Sequence, residues 1–259
     1  MARRRFFVEA VRNERAEVAG DTAEHLRRVL RVEAGQRFEI SDNQSVYLAE
    51  VEGFQKDRVL FHVLERLEAE APPVRVILLA SLIKFDRFEW IVEKATELGA
   101  EAIVPVEAER SEKGLGKAAA KRVERWRRIA LESSQQSRRA RLPEIEPCVS
   151  FQRALETVAA CRIFLDEERG APPLVSVLPP AERRSPSDLV CLLVGPEGGW
   201  TGDERNAAIA RGWTPVTLGP QILRAETAAL AAIAVIVSAW ATPPPAPPRS
   251  PAPSPPESS

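Results

Sequence analysis

From Val74 onward the chain repeats one pattern that few architectures accommodate. Val74-Arg-Val-Ile-Leu-Leu-Ala80 is almost continuously apolar, which marks a strand buried on both faces. Asp86–Leu98 follows with Phe88, Ile91, Val92, Ala95 and Leu98 at helical spacing, and Gly99 closes the segment. Ala102-Ile-Val-Pro-Val106, Cys161–Leu165, Leu189–Val194 and Pro215–Leu218 are further strand-like runs, separated by helical stretches. Strands alternating with helices predict an α/β layer around a parallel sheet, with ligands bound beyond the carboxyl ends of its strands.

The first 71 residues read differently. Arg37–Ser41 and Val46–Val51 alternate polar and apolar, and Val59–Leu64 has the bias of a third strand. Asp42-Asn43 and Glu52-Gly53 are predicted turns, and Ala23–Leu30 a short helix capped by Asp21 or Thr22. The expected domains are therefore 1–71, a small β-rich module, and 74–241, with Ala71-Pro72-Pro73 as the linker. Residues 242–259 form a tail with 9 of the 22 prolines, a composition that cannot bury a core.

Composition narrows the function classes. Lys+Arg (36) and Asp+Glu (37) nearly cancel, so any nucleic-acid affinity must come from local clustering. Between Arg110 and Arg141 there are 11 Lys/Arg against three Asp/Glu. There Lys121, Arg122, Arg125 and Arg128 share a helix face opposite Val123, Trp126, Ile129 and Ala130. Such a face is either simply solvated or tracks phosphates. Arg138-Arg139-Ala140-Arg141 favours the second reading, and the basic start around Arg3 and Arg5 offers another contact. Cys148, Cys161 and Cys191 show no CxxC spacing, and with His25 and His62 as the two histidines no metal site is expected. The apolar stretch Ala225–Ala241 contains Glu226 and is too short to span a bilayer, so a cytoplasmic protein without a membrane partner is expected.

Two segments carry the candidate chemistry. Gly195-Pro-Glu-Gly-Gly-Trp200 follows an apolar strand, and Thr201-Gly-Asp-Glu204 opens the next helix with capping-box spacing. This is either a tight turn or a backbone cradle for a ligand. Leu218-Gly-Pro-Gln-Ile-Leu-Arg-Ala-Glu-Thr-Ala228 places Arg224 and Glu226 where a strand hands over to an apolar helix that Thr227 or Glu226 can cap. Those charges either pair to lock the turn or perform a task.

Together with His25-Leu-Arg-Arg-Val-Leu-Arg31, Lys84 through Gly99, Arg110-Ser111, Arg125-Trp126 and Gln136-Ser137, these segments resemble the small-subunit ribosomal RNA uridine-N3 methyltransferases, trefoil-knotted SPOUT enzymes. One departure is Gln135-Gln-Ser-Arg-Arg139, where that family has Glu-Gln-Ser-Gly-Arg. The resemblance implies an α/β fold: a PUA-like β-barrel followed by a SPOUT knot domain. It implies a homodimer and 16S rRNA of the small ribosomal subunit as partners. S-adenosylmethionine is the implied cofactor. Its expected contacts are Leu193, Gly195, Pro196, Glu197, Gly198 and Gly199 on the first loop. Leu218, Gly219, Ile222, Leu223 and Ala225 are those expected on the second. The expected catalytic residues are Arg224, stabilising a uracil anion, with Glu197 or Glu226 orienting it or accepting its proton. RNA is expected at Arg3, Arg5, Arg27, Arg31, Arg110, Arg122, Arg125 and Arg139. Three rival readings are a ribose 2′-O-methyltransferase, a non-catalytic RNA-binding assembly factor, and an enzyme using Gly195–Gly199 as an anion cradle.

Overall fold

The computed structural model describes residues 5–168 and 170–242. Arg3 and the proline-rich tail beyond residue 242 lie outside them. The N-terminal part is a curled, PUA-like five-stranded sheet ordered β1-β3-β4-β5-β2. Its elements are β1 (Arg5–Phe7), β2 (Arg15–Ala19), α1 (Gly20–Arg28), β3 (Arg37–Ser41), β4 (Val46–Gln55) and β5 (Arg58–Leu67). Alternation sends Ala16, Val18, Ile40, Val51, Val59 and Phe61 inward, where they meet Phe6, Ala23 and Leu26 in one core. Glu52-Gly53 does not turn the chain: register shifts at Leu48/Ala49 and Val51/Gly53 mark bulges, and β4 continues to Gln55. The reversal comes at Lys56, which adopts φ +43. Helix α1 starts three residues earlier than expected, at Gly20, with no side-chain cap.

The second part is built on a parallel sheet ordered β12-β10-β11-β6-β7-β8, with β9 also paired to β7. In chain order its elements are β6 (Arg75–Ser81), α2 (Phe85–Glu97), β7 (Ala102–Glu107), α3 (Leu115–Ala119), α4 (Val123–Gln136), β8 (Glu144–Ile145) and β9 (Val149–Ser150). There follow α5 (Phe151–Ala154), β10 (Cys161–Leu165), α6 (Leu174–Val177), β11 (Leu189–Val194), α7 (Gly202–Ala210), β12 (Thr214–Val216) and α8 (Ala225–Ala241). The apolar runs are central strands because both faces are covered. Val76, Leu78, Val190 and Leu192 pack with α2 and α8, and Leu79, Cys191 and Leu193 with Phe151, Trp200 and Trp213. Helix α2 ends where the Gly99 amide bonds the Thr96 carbonyl and the Ala100 amide the Ala95 carbonyl.

The two parts meet at residues 138–142. Ser41 Oγ donates to the Ala140 carbonyl at 2.6 Å, and the Leu142 amide donates to Asn43 Oδ1 at 2.7 Å. Glu39, 9% exposed, accepts from Arg5 Nε (3.1 Å) and Nη2 (2.8 Å) and pairs with Arg138. Arg138 holds φ +58, the left-handed conformation that glycine adopts without strain. Its reach to Glu39 offsets that cost. Glu39→Ala leaves two cations facing each other at the joint. It is expected to lower Tm in a melting experiment by roughly 5 °C, equivalent to about 2 kcal/mol. An unchanged Tm would show that the carboxylate does not hold the joint.

Candidate active site

The carboxyl ends of four neighbouring strands open into one cavity of about 410 Å³, a size suited to a small organic ligand. Its walls are the start of α2 at Arg87, the β10 end with Asp166 and Glu167, the loop after β11, and the loop from Val216 to Ala225 after β12. Both glycine-bearing segments singled out in the sequence thus face the same space. Gly195, Pro196, Glu197, Gly199, Leu218, Gly219, Ile222, Leu223 and Ala225 line it; Leu193 and Gly198 do not. Leu193 is buried on β11, and Gly198 turns its carbonyl to Arg110 Nη1 at 2.8 Å.

The first loop is shaped by close approaches. A Cβ on Gly195 would stand 3.0 Å from the Trp200 ring, whose Nε1 donates to the Leu165 carbonyl at 2.8 Å. Gly199 has φ +67, and a Cβ there would meet the Glu167 carboxylate. Beyond the loop, the capping box is complete: Thr201 Oγ1 accepts from the Glu204 amide at 3.2 Å, and Glu204 Oε2 accepts from the Thr201 amide at 3.0 Å. An exposed backbone, an apolar floor at Val194 and Val216, and adjacent carboxylates fit an adenosine-type methyl donor.

The charged residues divide. Arg224 is the N-terminal flanking residue of α8, exposed on the cavity rim, and it makes no ion pair among the described residues. Glu197 also lines the cavity and pairs with Arg87. Glu226 is 7% exposed and does not line the cavity; its Oε2 has no hydrogen-bond partner among the described residues. The Arg224–Glu226 pair does not form. Arg87, Glu167, Thr217 and Gln221 are wall residues that the sequence reading missed. Glu167 lies just past the carboxyl end of β10, a position that could have flagged it, whereas Arg87 is already within the first turn of α2.

The arginines expected at RNA occupy different surroundings. Arg27 lies 5.7 Å over the Phe54 ring and donates to the Lys56 carbonyl; Arg31 is exposed. Arg122 covers Phe85 at 4.9 Å, and Arg125 grips Glu89 through Nε (2.6 Å) and Nη2 (2.8 Å). Arg5 and Arg139 instead turn inward. Arg139 Nη1 donates to the Thr96 carbonyl at 2.7 Å, and burial pushes its guanidinium down to about 10. Lys113, Lys117 and Lys121, in the same basic segment, are exposed and make no ion pair among the described residues.

Burial raises all three thiols, Cys148 to about 11 and Cys191 to about 12. The thiolate is the reactive form. A thiol reagent at pH 8 is therefore expected to label none of the three in the folded protein and all three after unfolding. Rapid labelling of the native chain would contradict this burial. Among the described residues no helix is long and apolar enough to cross a membrane, and no cluster of His, Cys, Asp or Glu is placed to hold a metal ion.

A PUA-like sheet beside a parallel sheet of the SPOUT type, with a glycine-lined cavity at its carboxyl edge, defines the class of RNA methyltransferases. Residues 70–237 match the family described as RNA methyltransferase domain, and residues 18–64 that described as RNA methyltransferase PUA domain. The ribosomal RNA small subunit methyltransferase E of Bacillus subtilis is 33% identical over 246 residues, covering 90% of this chain and 95% of its own. Its counterpart from Synechocystis is 36% identical over 217 residues, covering 82% and 69%. The crystal structure of a ribosomal RNA small subunit methyltransferase E from Neisseria gonorrhoeae, bound to S-adenosyl methionine, superposes with a TM-score of 0.82. It is 31% identical, and the match covers 92% of this chain and 98% of that one. The chain belongs to the ribosomal RNA small subunit methyltransferase E family.

Proposed function

We propose that the protein methylates N3 of one uridine in 16S rRNA, using S-adenosylmethionine, as a cytoplasmic homodimer. The carrying observation is the shared cavity of the two glycine-bearing loops, with Arg224 exposed and without an ion-pair partner among the described residues on its rim. Bound there, S-adenosylmethionine supplies a sulfonium methyl group open to in-line attack by the base nitrogen. Uracil N3 carries a proton that it loses roughly two units above neutrality, so forming its anion at pH 7 costs about 3 kcal/mol. Arg224 offsets that cost by facing O2 or O4 of the anion. Glu197, on the opposite loop, orients the base or accepts the proton; the buried Glu226 is set behind the wall and is the weaker candidate. The apolar residues Leu218 and Leu223, with Trp200 buried behind the loop, keep water from the reacting centre.

N3 lies on the pairing edge, so the target base is splayed out of any helix before it enters. In this reading the N-terminal module, residues 1–71, and the domain over 74–241 grip the flanking RNA. Lys113, Lys117 and Lys121 join Arg27, Arg31, Arg122 and Arg125 in that role. Helix α8 leaves Ala231, Ala234, Val235 and Ser238 at least partly exposed, a small-residue face that supports pairing with a second copy. The deciding experiment incubates the protein and S-adenosylmethionine with 16S rRNA from a strain lacking this activity, then maps the product by mass spectrometry. One 3-methyluridine is expected. A ribose 2′-O-methyl group, or no modification, would overturn the reading.

A further inference from the structure

We propose that Arg87 and Arg110 are positioning residues for the methyl-donor loop, gripping its consecutive residues Glu197 and Gly198, Arg87 from the facing cavity wall and Arg110 from behind the loop. The proposal rests on the reading of that loop as the donor site. Five residues, three of them glycines, connect β11 to Trp200, and such a segment loses much conformational freedom when ordered. One flank is fixed by Trp200 under Gly195. The other depends on two side chains that are distant in sequence, 110 and 88 residues from the groups they bond. Arg87, in the first turn of α2 beyond β6, pairs with the Glu197 carboxylate. Arg110, beyond β7, donates Nη1 to the Gly198 carbonyl at 2.8 Å. Its stem lies on the loop backbone as well, because a Cβ on Gly198 would be 3.3 Å from Arg110 Cβ.

Arg110 is itself delivered from a fixed base. The Ala108 amide donates to Ser111 Oγ at 3.2 Å, and the Ser111 amide to the Ala108 carbonyl at 3.1 Å. The Glu109 amide donates to Glu204 Oε1 at 2.9 Å, and Thr201 Oγ1 to Glu109 Oε2 at 3.2 Å. The segment after β7 is thus bolted to the start of α7, and Arg110 reaches across that joint to the loop between them. Charge clustering alone assigns Arg110 to the RNA backbone, but in the fold its guanidinium and stem are both engaged by Gly198.

The two roles predict different measurements on the full-length protein. A phosphate contact, when removed, weakens RNA binding for all sequences and reduces the salt slope by about one. A loop grip, when removed, weakens donor binding. For Arg110→Ala and Arg87→Ala, calorimetry with S-adenosylmethionine is expected to give a Kd raised about tenfold. KM for the donor rises with it, kcat changes less than threefold in Arg110→Ala, whose side chain touches no group given a catalytic role, and RNA affinity and its salt slope stay at the wild-type values. Arg110→Lys keeps the charge but loses the planar group, so RNA binding stays normal and the donor Kd stays raised. Melting curves identify any variant that has lost its fold, and Arg110→Lys and Arg87→Lys carry the test in that case. Donor affinity at the wild-type level with weakened RNA binding would overturn the proposal, as would full recovery in Arg110→Lys. Wild-type protein that binds no S-adenosylmethionine would instead sink the donor-site reading itself.

Discussion

Arg224→Ala is expected to lower turnover on 16S rRNA by about 100- to 1000-fold, the range seen when one preorganised donor to a developing anion is removed. Donor affinity should stay within threefold, since the side chain lies on the cavity rim and takes no part in the loop contacts. The position explains the size of the effect. Arg224 immediately precedes α8, so the helix's positive end lies behind the guanidinium and both favour negative charge at the same place. The pH profile separates this role from a structural one. Raising the pH removes the N3 proton without help, so the variant should recover relative to wild type as pH approaches 9.5. Single-turnover rates measured from pH 6.5 to 9.5 check this. Activity within threefold of wild type at pH 7 would remove Arg224 from the mechanism.

The largest loss of stability is expected at Trp126. This side chain is fully buried between α4 and α2, with ring centroids 4.7 Å from Phe88 and 6.0 Å from Phe85. Trp126→Ala deletes that contact and leaves a cavity, at a cost of about 3–5 kcal/mol. The indole Nε1 has no hydrogen-bond partner among the described residues, so the native residue already carries an unsatisfied donor. Trp126→Phe removes the donor along with part of the volume, and its cost should stay below ~1.5 kcal/mol. Urea unfolding followed through the α/β domain measures both, with the m-value as a check that the same transition is compared. An alanine variant losing less than ~1 kcal/mol would mean that the site collapses around the gap.

The parts that were legible in the sequence are those fixed by local patterning. Leu189–Val194 reads as a buried strand because helices cover both of its faces, and Thr201-Gly-Asp-Glu204 reads as a helix start because the two reciprocal bonds need that spacing alone. Strand β2 escaped notice because Arg15–Ala19 is short and half polar; its pairing with β5 is not written within its own residues. Gly53 misled for a physical reason, since a glycine serves a bulge as well as a turn. The arginines were hardest. Arg139 caps the Thr96 carbonyl and Arg138 pairs with Glu39, partners 43 and 99 residues away in sequence. A charge run shows how many cations a segment holds, whereas their assignment to RNA or to the protein's own joints depends on long-range contacts. The same holds for Arg87 and Glu167, which join the two glycine loops only when four strand ends are side by side.

The spread of the cavity walls from Arg87 to Ala228 along the chain has a consequence for how the enzyme comes into being on a ribosome. The N-terminal module encloses its own core with residues 6–63 and can settle early during synthesis. The cavity has no such independence, because its last wall includes Ala225 and Ala228 at the start of α8. A nascent chain halted before that helix would hold a complete N-terminal core and an incomplete cavity, so the transferase pocket closes only once α8 has been made.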